Sequence, residues 1–541
     1  MRSFRACARA LWAMSHPVRW RMGVSVLAGL VRIAASLSFV WVSKYLVDIA
    51  TGAQDAPLGP AIGLFAAILF LQIAAMLFMR WWESYTQVKT QNVLRKELFS
   101  HVLSSRWDGR ERFLSGDTVN RLEEDIRVVA DIICSRLPGT AVTLLQLVAA
   151  SVYLLVLAPR LFWVLILLML VTVFGSKLFF RQLRQLMAAI RARESDVQQL
   201  MQESLLHRVL VLTLTRSESL LEKMGSWQAD IEDDTRKRLN YNAVARGLML
   251  LGFQLGHALA FLWGVIGILH GTVTYGMMTA FIQLVGQVQR PVAELAQQIP
   301  AFIQAVTSVE RLMELDELQQ EPAQTPITLP AAPEIAVKDI SYAYPGGVKP
   351  ILSHFSCTFP AGQVTLIVGP TGAGKSTLLR LILGLLKPQE GEVTLSGHPA
   401  GSALLGNFQY VPQGNTLLSG TIRSNLLLAS PEASEADLYQ ALELAMAGFV
   451  RELPEGLDTP TGESGSGLSE GQCQRIAVAR ALLRPGGILI LDESTSALDE
   501  GTERQLLEHL HQACRGRKTV LVVSHRPAAL AFADQVVNLK S

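Results

Sequence analysis

A glycine-rich segment that follows an apolar, β-branched run constrains the fold of this chain most strongly. Residues 369–377 read Gly-Pro-Thr-Gly-Ala-Gly-Lys-Ser-Thr, with the spacing Gly-x4-Gly-Lys-Ser. The run before them, 364–368, has the composition of a buried parallel strand, and an apolar helix is predicted after them. This is the P-loop pattern, in which backbone N–H groups and a helix N-terminus surround a phosphate. The segment therefore predicts an α/β domain with a nucleotide site at a strand end.

Four residues of the P-loop have distinct expected roles. Gly372 and Gly374 allow a tight turn that points N–H groups inward. We expect Lys375 to reach the β- and γ-phosphates and Ser376 to ligate Mg²⁺. A glycine-rich turn without a nucleotide is the alternative, and the order of strand, loop and helix argues against it.

Two adjacent carboxylates end a second apolar run. Residues 488–491 read Ile-Leu-Ile-Leu and are followed by Asp492 and Glu493. Asp492 suits the water shell of Mg²⁺, and Glu493 could polarise an attacking water as general base. The alternative is that the two carboxylates only cap the next helix. The P-loop earlier in the chain argues against this alternative.

The segment Leu468-Ser-Glu-Gly-Gln472 resembles the signature motif of ATP-binding cassette (ABC) proteins, and other motifs of that family occur around it. Tyr344 resembles the aromatic residue that stacks on adenine. The remaining matches are Val411-Pro412-Gln413 to the Q-loop, Thr461-Gly462-Glu463 to the X-loop, Ser496-Ala497-Leu498-Asp499 to the D-loop and Ser524-His525 to the H-switch. The resemblance covers residues 334–541.

The resemblance implies an ATP- and Mg²⁺-dependent ATPase and assigns its residues. It places catalysis on Glu493, His525 and Gln413, and the metal on Ser376, Gln413 and Asp492. It assigns contacts with ATP to Tyr344, Gly369, Pro370, Thr371, Gly372, Ala373, Gly374, Lys375, Ser376, Thr377, Ser469, Gly471, Gln472 and Asp499. In the family, the signature serine and glycine approach the γ-phosphate held by a partner cassette, which implies a dimer.

One signature residue departs from the family pattern. Glu470 stands where glycine is commonest. A carboxylate pointing at the phosphate would be unfavourable. We therefore expect Glu470 to face away from it.

The first 300 residues contain long apolar stretches. Half of the chain is hydrophobic and 17% is charged, which is too apolar for a wholly soluble protein. Six stretches have membrane-spanning length: 22–45, 59–80, 137–158, 160–180, 244–269 and 276–298. Arginine-rich segments precede the first span and fill the long intervals after the second and fourth spans. The positive-inside rule places those segments and both termini in the cytoplasm.

This pattern resembles the exporter half-transporters of the ABC class. It implies a six-span α-helical transmembrane domain over 1–318, a proline-rich linker over 319–333 and an α/β P-loop NTPase cassette over 334–541. Residues 107–122 and 203–218 resemble the two coupling-helix regions. Because the first span begins near residue 22, we expect no N-terminal peptidase domain.

These features predict an ATP-driven exporter that works as a homodimer or heterodimer of half-transporters. The expected partners are the bilayer, a second half-transporter and a small-molecule, lipid or peptide substrate, and no nucleic acid. The expected location is the bacterial inner membrane, although the arginine-rich start of the chain also fits an organellar transit peptide. A gated channel or regulator, and a lipid flippase, are the alternatives.

Polar residues inside the spans are candidates for a substrate cavity, because they are costly against lipid. They are Arg32, Gln146, Gln254, His257, Gln283, Gln287 and Arg290. Hydrogen bonding between helices is the alternative for the glutamines. The five cysteines show neither metal spacing nor a disulfide framework, and Cys473 beside the signature is a candidate reactive thiol.

Overall fold

The computed structural model describes residues 3–107, 116–177, 179–322, 324–344, 349–462 and 467–539, without the side chains of 116, 173, 176, 177 and 180. The chain divides into two compact units. The helical unit comprises Met1–Ser100 and Gly116–Glu317, and the α/β unit comprises His101–Ser115 and Leu318–Ser541.

The helical unit consists of long helices joined by short turns. Its helices are α1 (Phe4–Met14), α2 (Arg19–Ala50), α3 (Leu58–Leu103), α4 (Gly116–Asn120), α5 (Ile126–Asp131), α6 (Leu137–Leu157), α7 (Pro159–Lys177), α8 (Phe180–Leu206), α9 (Arg208–Thr213), α10 (Ser217–Leu269) and α11 (Tyr275–Asp316).

Each of the six predicted spans lies largely on a helix of this unit, and the fourth, 160–180, runs past the end of α7 at Lys177. Within the described residues, four helical stretches are long and apolar enough to cross a membrane: His16–Ala50, Leu58–Leu103, Asp117–Leu157 and Ser217–Leu269. The apolar part of α7, Pro159–Thr172, is shorter. The sixth predicted span lies on α11, which contains two prolines and several glutamines. In the described residues, α3 continues beyond the second span to Leu103, and α8 and α10 occupy most of the interval after the fourth span, so the described parts of both intervals are largely helical, as expected.

Two single-turn π-helices interrupt the path from α4 to α6, over Arg121–Asp125 and Ile132–Arg136. Asp125 belongs to the first of them and is buried. Its Oδ1 accepts from the Ser308 hydroxyl at 2.7 Å, and Arg311 Nη1 lies 3.5 Å from its Oδ2. Arg121 Nη1 donates to Glu314 Oε2 at 2.6 Å. These bonds tie this segment to α11.

Small residues repeat every fourth position on one face of α10. Gly252, Gly256, Ala260 and Gly264 are all buried. A Cβ at Gly256 would lie 2.1 Å from Gln289 Nε2, and one at Gly264 would lie 2.3 Å from Met278 Cγ. Glycine therefore lets α10 pack closely against α11, as small residues do between membrane helices.

The start of α11 is held by α2. Gly276 N–H donates to Asp48 Oδ1 at 3.1 Å, and Asp48 is buried. A carboxylate at the N-terminus of a helix satisfies a free N–H group and interacts favourably with the helix dipole. The ends of the first and sixth predicted spans are thereby joined.

Hydrogen bonds account for several of the polar residues in the spans. Gln287 Nε2 donates to the Ser36 carbonyl of α2 at 3.2 Å, as expected of a bond between helices. Arg290 pairs with Glu294 on its own helix at 2.9 Å. Arg32 makes no hydrogen bond or ion pair within the part of the chain that the structure describes.

The α/β unit contains eleven strands and six helices among its described residues. The strands are β1 (Ile335–Tyr342), β2 (Leu352–Phe359), β3 (Val364–Val368), β4 (Glu390–Leu395), β5 (His398–Pro399), β6 (Phe408–Val411), β7 (Gly420–Thr421), β8 (Pro460–Thr461), β9 (Ile488–Asp492), β10 (Thr519–Val523) and β11 (Gln535–Asn538). The helices are α12 (Lys375–Ile382), α13 (Ile422–Leu427), α14 (Glu435–Leu444), α15 (Glu470–Leu483), α16 (Glu500–Cys514) and α17 (Pro527–Leu530).

Its central sheet is parallel, in the order β11-β3-β10-β9-β6. An antiparallel sheet of order β2-β1-β4-β5 packs beside it, and β7 and β8 form a small ribbon. Every residue of β9 and β10 is buried, as their continuous apolar sequence predicts. The strand order sets the ends of β3, β10, β9 and β6 side by side at one edge, where ligands bind in such sheets.

The predicted linker is extended rather than helical, and it is hydrogen-bonded to the α/β unit. Leu329 N–H donates to Asn407 Oδ1 at 2.8 Å, and Asn407 Nδ2 donates to the Ile327 carbonyl at 2.7 Å. Leu329 is buried in the core of that unit. Its prolines therefore fit a segment that runs extended along the surface.

Candidate functional site

The P-loop connects β3 to α12. Gly372 and Gly374 both have left-handed backbones, with φ of +87° and +90°. A Cβ at Gly374 would lie 2.7 Å from Ile351 Cγ2, whereas one at Gly372 would meet nothing within 4 Å. Glycine is therefore required at Gly374 by both conformation and space, and at Gly372 by conformation.

Lys375 is the first residue of α12 and is only 6% exposed. Its Nζ donates to the carbonyls of Gly369 and Pro370 at 2.8 and 3.0 Å. The Lys375 ammonium therefore lies against the P-loop backbone, and its partners among the described residues are neutral carbonyl oxygens. A phosphate would offer this charge the anionic partner that it lacks.

Asp492 ends β9 and lies beside the start of α12. The hydroxyls of Ser376 and Tyr410 lie against its carboxyl group. Its Oδ1 is buried and has no hydrogen-bond partner among the described residues. Burial raises the pKa of Asp492 and the charge of Glu493 adds to the rise, while the Ser376 hydroxyl opposes it. A buried carboxylate oxygen without a partner, next to a serine hydroxyl, fits a Mg²⁺ site.

Burial also raises the pKa of Tyr410 to about 12, and the negative charge of Asp492 adds to that shift. Tyr410 therefore keeps its proton at neutral pH and can donate to the carboxylate. Sequence analysis did not select it, because a tyrosine within a strand gives no local signal of function.

Glu493 follows Asp492 and is held from two sides. Gln413 Nε2 donates to its Oε2 at 2.7 Å, and His525 Nε2 lies 3.4 Å from its Oε1. Its backbone is left-handed, with φ of +49°, which is uncommon outside glycine. Its N–H donates to the Val523 carbonyl at 3.1 Å. The structure thus brings together the three residues predicted to be catalytic.

Tyr344 lies beside the P-loop helix. Its hydroxyl accepts from Arg380 Nη1 at 3.0 Å and lies 3.3 Å from Thr377 Oγ1. The Arg380 guanidinium in turn lies over the Trp107 ring, 4.8 Å from its centroid. A cation over an aromatic face is attracted to it. This chain of contacts links Trp107, in the first predicted coupling region, to the predicted adenine-stacking residue.

The signature motif caps α15. Ser469 is the N-cap, and Gln472 N–H donates to its Oγ at 3.2 Å while Gln472 Oε1 accepts from Ser469 N–H at 2.8 Å. This reciprocal pair is a capping box. Glu470 is the first residue of the helix and is exposed. A carboxylate is favourable in the first turn of a helix, which gives this departure from the family pattern a structural reason.

The D-loop packs on the signature helix. A Cβ at Gly471 would lie 3.0 Å from the Ala497 carbonyl oxygen. Gln474 is buried, donates to Ser496 Oγ at 3.3 Å and accepts from Ala497 N–H at 3.2 Å. Asp499 is the N-cap of α16 and accepts from Thr502 N–H at 2.9 Å. Signature and D-loop therefore form one packed element.

Comparison with known families decides the identity of the chain. A family model of the ABC transporter transmembrane region matches residues 22–292. A second model, of the ABC transporter, matches residues 352–496. The chain belongs to the ABC transporter family.

Relatives of this ABC transporter match it over most of its length. An uncharacterized ABC transporter ATP-binding protein, y4gM of Sinorhizobium fredii, is 28% identical over 97% of this chain and 91% of the relative. The leukotoxin translocation ATP-binding protein LktB of Mannheimia glucosida is 32% identical over 83% of this chain. This chain spans only 64% of the length of that relative.

A solved structure of a bacterial Atm1-family ABC exporter with ATP bound shares the fold. Its TM-score is 0.80 at 24% identity, with 96% of this chain and 93% of that chain covered. The predicted fold class, helices crossing the membrane plus an α/β cassette, is confirmed. The transporter is an integral membrane protein whose cassette uses ATP and couples its hydrolysis to transport.

The described geometry separates the predicted site residues into two groups. One group lies at the edge of the parallel sheet, on the P-loop and on the ends of β6, β9 and β10. The other comprises Ser469, Gly471, Gln472 and Asp499, on the signature and D-loop. Within the described residues, no hydrogen bond joins Ser469 or Gly471 to the P-loop.

Sequence analysis missed Arg526, which directly follows His525. Its Nη1 donates to the Leu498 carbonyl at 2.5 Å and to Glu503 Oε2 at 3.1 Å, and its Nη2 donates to the Ser496 carbonyl at 2.5 Å. Glu503 is fully buried and also accepts from Thr495 Oγ1 at 2.7 Å. A positioned arginine thus ties the H-switch to the D-loop. Its only sequence signal is its place after His525.

Cys473 is not the accessible thiol that its position suggested. It is buried on the inner face of α15, and burial raises its pKa. Both effects disfavour the reactive thiolate.

Three predicted features fall wholly or partly outside the described residues. They are Glu463 of the X-loop, residues 108–115 of the first coupling region and Pro345 after Tyr344. The second coupling region contains the short helix α9, between two turns.

Proposed function

We propose that two half-transporters, at least one of them this chain, form an ATP-driven exporter in the bacterial inner membrane, with the cassettes in the cytoplasm. Residues 1–318 form the transmembrane domain, 319–333 the linker and 334–541 the cassette. A homodimer is the simplest assembly, because the chain carries every motif that a composite site needs.

The observation that carries this proposal is the position of Glu493 between Gln413 and His525, at the sheet edge that also holds the P-loop. A carboxylate oriented from both sides is suited to accept the proton of an attacking water. His525 then stabilises the charge that develops on the γ-phosphate. A cassette that only regulates a channel would not need this arrangement. The arrangement therefore favours a transporter that hydrolyses ATP in each cycle over a gated channel.

Mg²⁺ would supply positive charge that offsets the negative charge of the phosphates. Ser376 and Asp492 would hold it, with Gln413 completing the set. The buried, unpartnered Oδ1 of Asp492 supports this assignment. Lys375 would leave the two carbonyls that it now contacts and turn to the phosphates.

A second chain would complete each ATP site. Ser469 is exposed at the tip of α15, where the helix N-terminus offers an anion its positive dipole end. Because no hydrogen bond within the described residues joins it to the P-loop of its own chain, a γ-phosphate from a partner cassette is the anion that it would meet.

The short helix α9 supports a role in coupling. Val209, Leu210 and Leu212 on α9 are each more than half exposed, as are Leu205 and Leu206 just before it. Apolar side chains clustered at a turn between two charged helices require a covering surface. We propose that a partner chain provides this surface and that α9 transmits its movement to the spans.

The proposed substrate is a small molecule, a lipid or a peptide. The relative from Mannheimia glucosida is named for leukotoxin translocation, and the solved structure is of an Atm1-family ABC exporter. Both names support export. Arg32, mid-span and without an ion pair within the described residues, favours a substrate with an anionic or polar group.

The test is ATP hydrolysis and uptake by inside-out proteoliposomes that contain the purified chain alone. We expect basal ATPase activity and stimulation by members of a panel of lipids, peptides and thiol compounds. Glu493→Gln is the matched inactive control. Solute flux that persists in the control would show a channel, and lipid movement between leaflets without solute uptake would show a flippase.

A further inference from the structure

An apolar cavity of about 500 Å³ lies in the helical unit, between the first short helix and three longer segments. It is lined by α1, by the start of α2, by the π-helix Ile132–Arg136 and the start of α6, and by α11. Representative lining residues are Phe4, Leu11, Met22, Val26, Pro138 and Phe302. Its volume lies within the range of small-molecule sites in proteins.

The cavity is lined largely by apolar side chains. Ser15 is one of its few polar lining residues, and the Ser15 hydroxyl is already bonded to the Trp12 carbonyl at 2.7 Å. None of the lining residues has a buried side-chain nitrogen or oxygen without a hydrogen-bond partner. Only hydrocarbon gains free energy by entering such a space.

The surroundings of the cavity supply hydrocarbon. Helix α1 is separated by one 3₁₀ turn, His16–Val18, from α2, and the stretch His16–Ala50 is apolar enough to cross a membrane. On α1, Phe4 and Trp12 are more than half exposed and lie on the side that lines the cavity. Amphipathic helices with such aromatic residues lie at the boundary between headgroups and acyl chains. We expect α1, and the cavity that it lines, to lie near the lipid headgroups.

The charged residues on α1 and at the start of α2 are arginines, whereas Asp131 and Glu310 adjoin the lining residues Ile132 and Val309. Arg5 and Arg9 directly follow the lining residues Phe4 and Ala8, are exposed and have no ion pair among the described residues. The Arg19 guanidinium lies 4.4 Å from the ring centroid of Trp12, and its Nη2 donates to the Trp12 carbonyl at 2.7 Å. No Asp or Glu occurs before Asp48. Cations at this depth attract anionic headgroups.

We infer that this cavity binds one acyl chain of an anionic phospholipid from the surrounding leaflet, while Arg5, Arg9 and Arg19 hold its phosphate. The lipid fills the space between α1 and the bundle and fixes α1 against α2 and α11. It is a resident ligand and not the transported substrate, because its site lies at the edge of the bundle. The inference does not depend on the proposed export cycle.

Cys7 provides a direct probe, because it lines the cavity and is only 2% exposed. The delipidated full chain in detergent is treated with N-ethylmaleimide, and the alkylation of each cysteine is measured by mass spectrometry. We expect added phosphatidylglycerol to slow the alkylation of Cys7 at least tenfold. Glycerol phosphate, which has no acyl chain, should leave the rate unchanged. The alkylation rate of Cys357, in the α/β unit, is the internal standard for the activity of the reagent and for the integrity of the fold.

Substitutions separate the acyl-chain and headgroup contributions. Ala8→Trp and Ala141→Phe fill the cavity and should abolish retention of phosphatidylglycerol through purification. Ala13→Trp, exposed on the same helix and absent from the lining, should retain it. Arg5→Gln and Arg9→Gln should each reduce the preference for phosphatidylglycerol over phosphatidylcholine by about fivefold.

Three outcomes would overturn the inference. One is alkylation of Cys7 that phosphatidylglycerol does not slow. Another is retention of lipid by the cavity-filling variants that equals that of Ala13→Trp. The third is loss of the lipid in Glu493→Gln, which would mark it as a substrate carried through the ATP cycle.

Discussion

Gln413 donates a hydrogen bond of 2.7 Å to Glu493 across the ends of β6 and β9, which are neighbours in the parallel sheet. His525, just past the end of β10 on the other side of β9, lies 3.4 Å from the second carboxylate oxygen. The strand order thus fixes both oxygens of Glu493. Glu493 has a left-handed backbone, and its carboxylate contacts Gln413 and His525 while that of Asp492 lies against Ser376 and Tyr410.

Removing the charge of Glu493 should stop turnover without abolishing nucleotide binding. In Glu493→Gln we expect ATP hydrolysis to fall by at least about a hundredfold, because the general base is lost. Binding of a fluorescent ATP analogue should stay within a few-fold of the original chain, since the P-loop is unchanged. Gln413→Ala is the companion variant and should show a smaller loss of hydrolysis. Undiminished turnover in Glu493→Gln would remove the base assignment.

Arg526 should prove to be a positioning residue. Arg526→Ala leaves the buried carboxylate of Glu503 with Thr495 as its remaining side-chain partner, and we expect a loss of about 1–3 kcal/mol in cassette stability, less than for a fully buried pair because Arg526 is partly exposed. ATP hydrolysis should fall as well, because the D-loop loses two of its anchors. The measurements are thermal unfolding and the rate of ATP hydrolysis.

The matched variant for Arg526 is the double substitution Arg526→Met, Glu503→Leu. It removes both charges and should recover stability but not hydrolysis, because a methionine side chain cannot donate to the carbonyls of Ser496 and Leu498. Equal recovery of both properties would show that Arg526 has a structural role alone.

Arg380 should influence ATP binding through Tyr344. In Arg380→Ala the Tyr344 hydroxyl loses its donor and Trp107 loses its cation, so we expect affinity for ATP to fall by about three- to tenfold. Arg380→Lys keeps the charge and should lose less. Titration with a fluorescent ATP analogue, compared with the same titration using triphosphate alone, isolates the adenine contribution. A loss equal for both ligands would point to the P-loop helix instead.

Gly276 should tolerate no side chain. A Cβ there would lie 2.3 Å from the Lys44 carbonyl oxygen and 2.4 Å from Asp48 Oδ1, so Gly276→Ala must push α11 away from α2. We expect a loss of about 1–3 kcal/mol in stability. Gly247→Ala on α10 is the control, since a Cβ there meets nothing within 4 Å, and it should be neutral or stabilising. Thermal unfolding in detergent distinguishes the two, and equal behaviour would contradict the close approach of α2 and α11.

The parts of the fold that sequence predicted are those governed by local pattern. The run 364–368 became β3 and the run 488–491 became most of β9, because continuous apolar, β-branched residues have few other stable arrangements. The P-loop was predicted from the spacing of its residues alone. Gln413 and His525 were predicted from the resemblance to the family, and the strand order explains why they lie beside Glu493.

The parts that sequence did not predict depend on distant partners. Glu503 lies near the start of α16 and Arg526 follows β10, and nothing in either segment indicates that they pair. The π-helices Arg121–Asp125 and Ile132–Arg136 contain no glycine or proline that would indicate an interruption of the helix. The small residues on α10 recur at a spacing of four in the sequence, but the helix that they pack against, α11, lies later in the chain and is not indicated by that spacing.

Mixed dimers should test whether each ATP site is built from two chains. The site would combine Lys375, Ser376, Gln413, Asp492, Glu493 and His525 of one chain with Ser469 and Gly471 of the other. Lys375→Ala removes the phosphate contact from the first set, and Ser469→Arg blocks the second. In a dimer of one chain of each kind, both changes fall in the same composite site and the other site is intact. We therefore expect vanadate-sensitive nucleotide trapping in the mixture, at up to about half of the original level per mixed dimer, and none in either variant alone.

A purified chain that stays inactive until a different half-transporter is added would establish a heterodimer. Full ATPase activity from a strict monomer would show that one chain closes its own site, contrary to the separation of Ser469 from the P-loop.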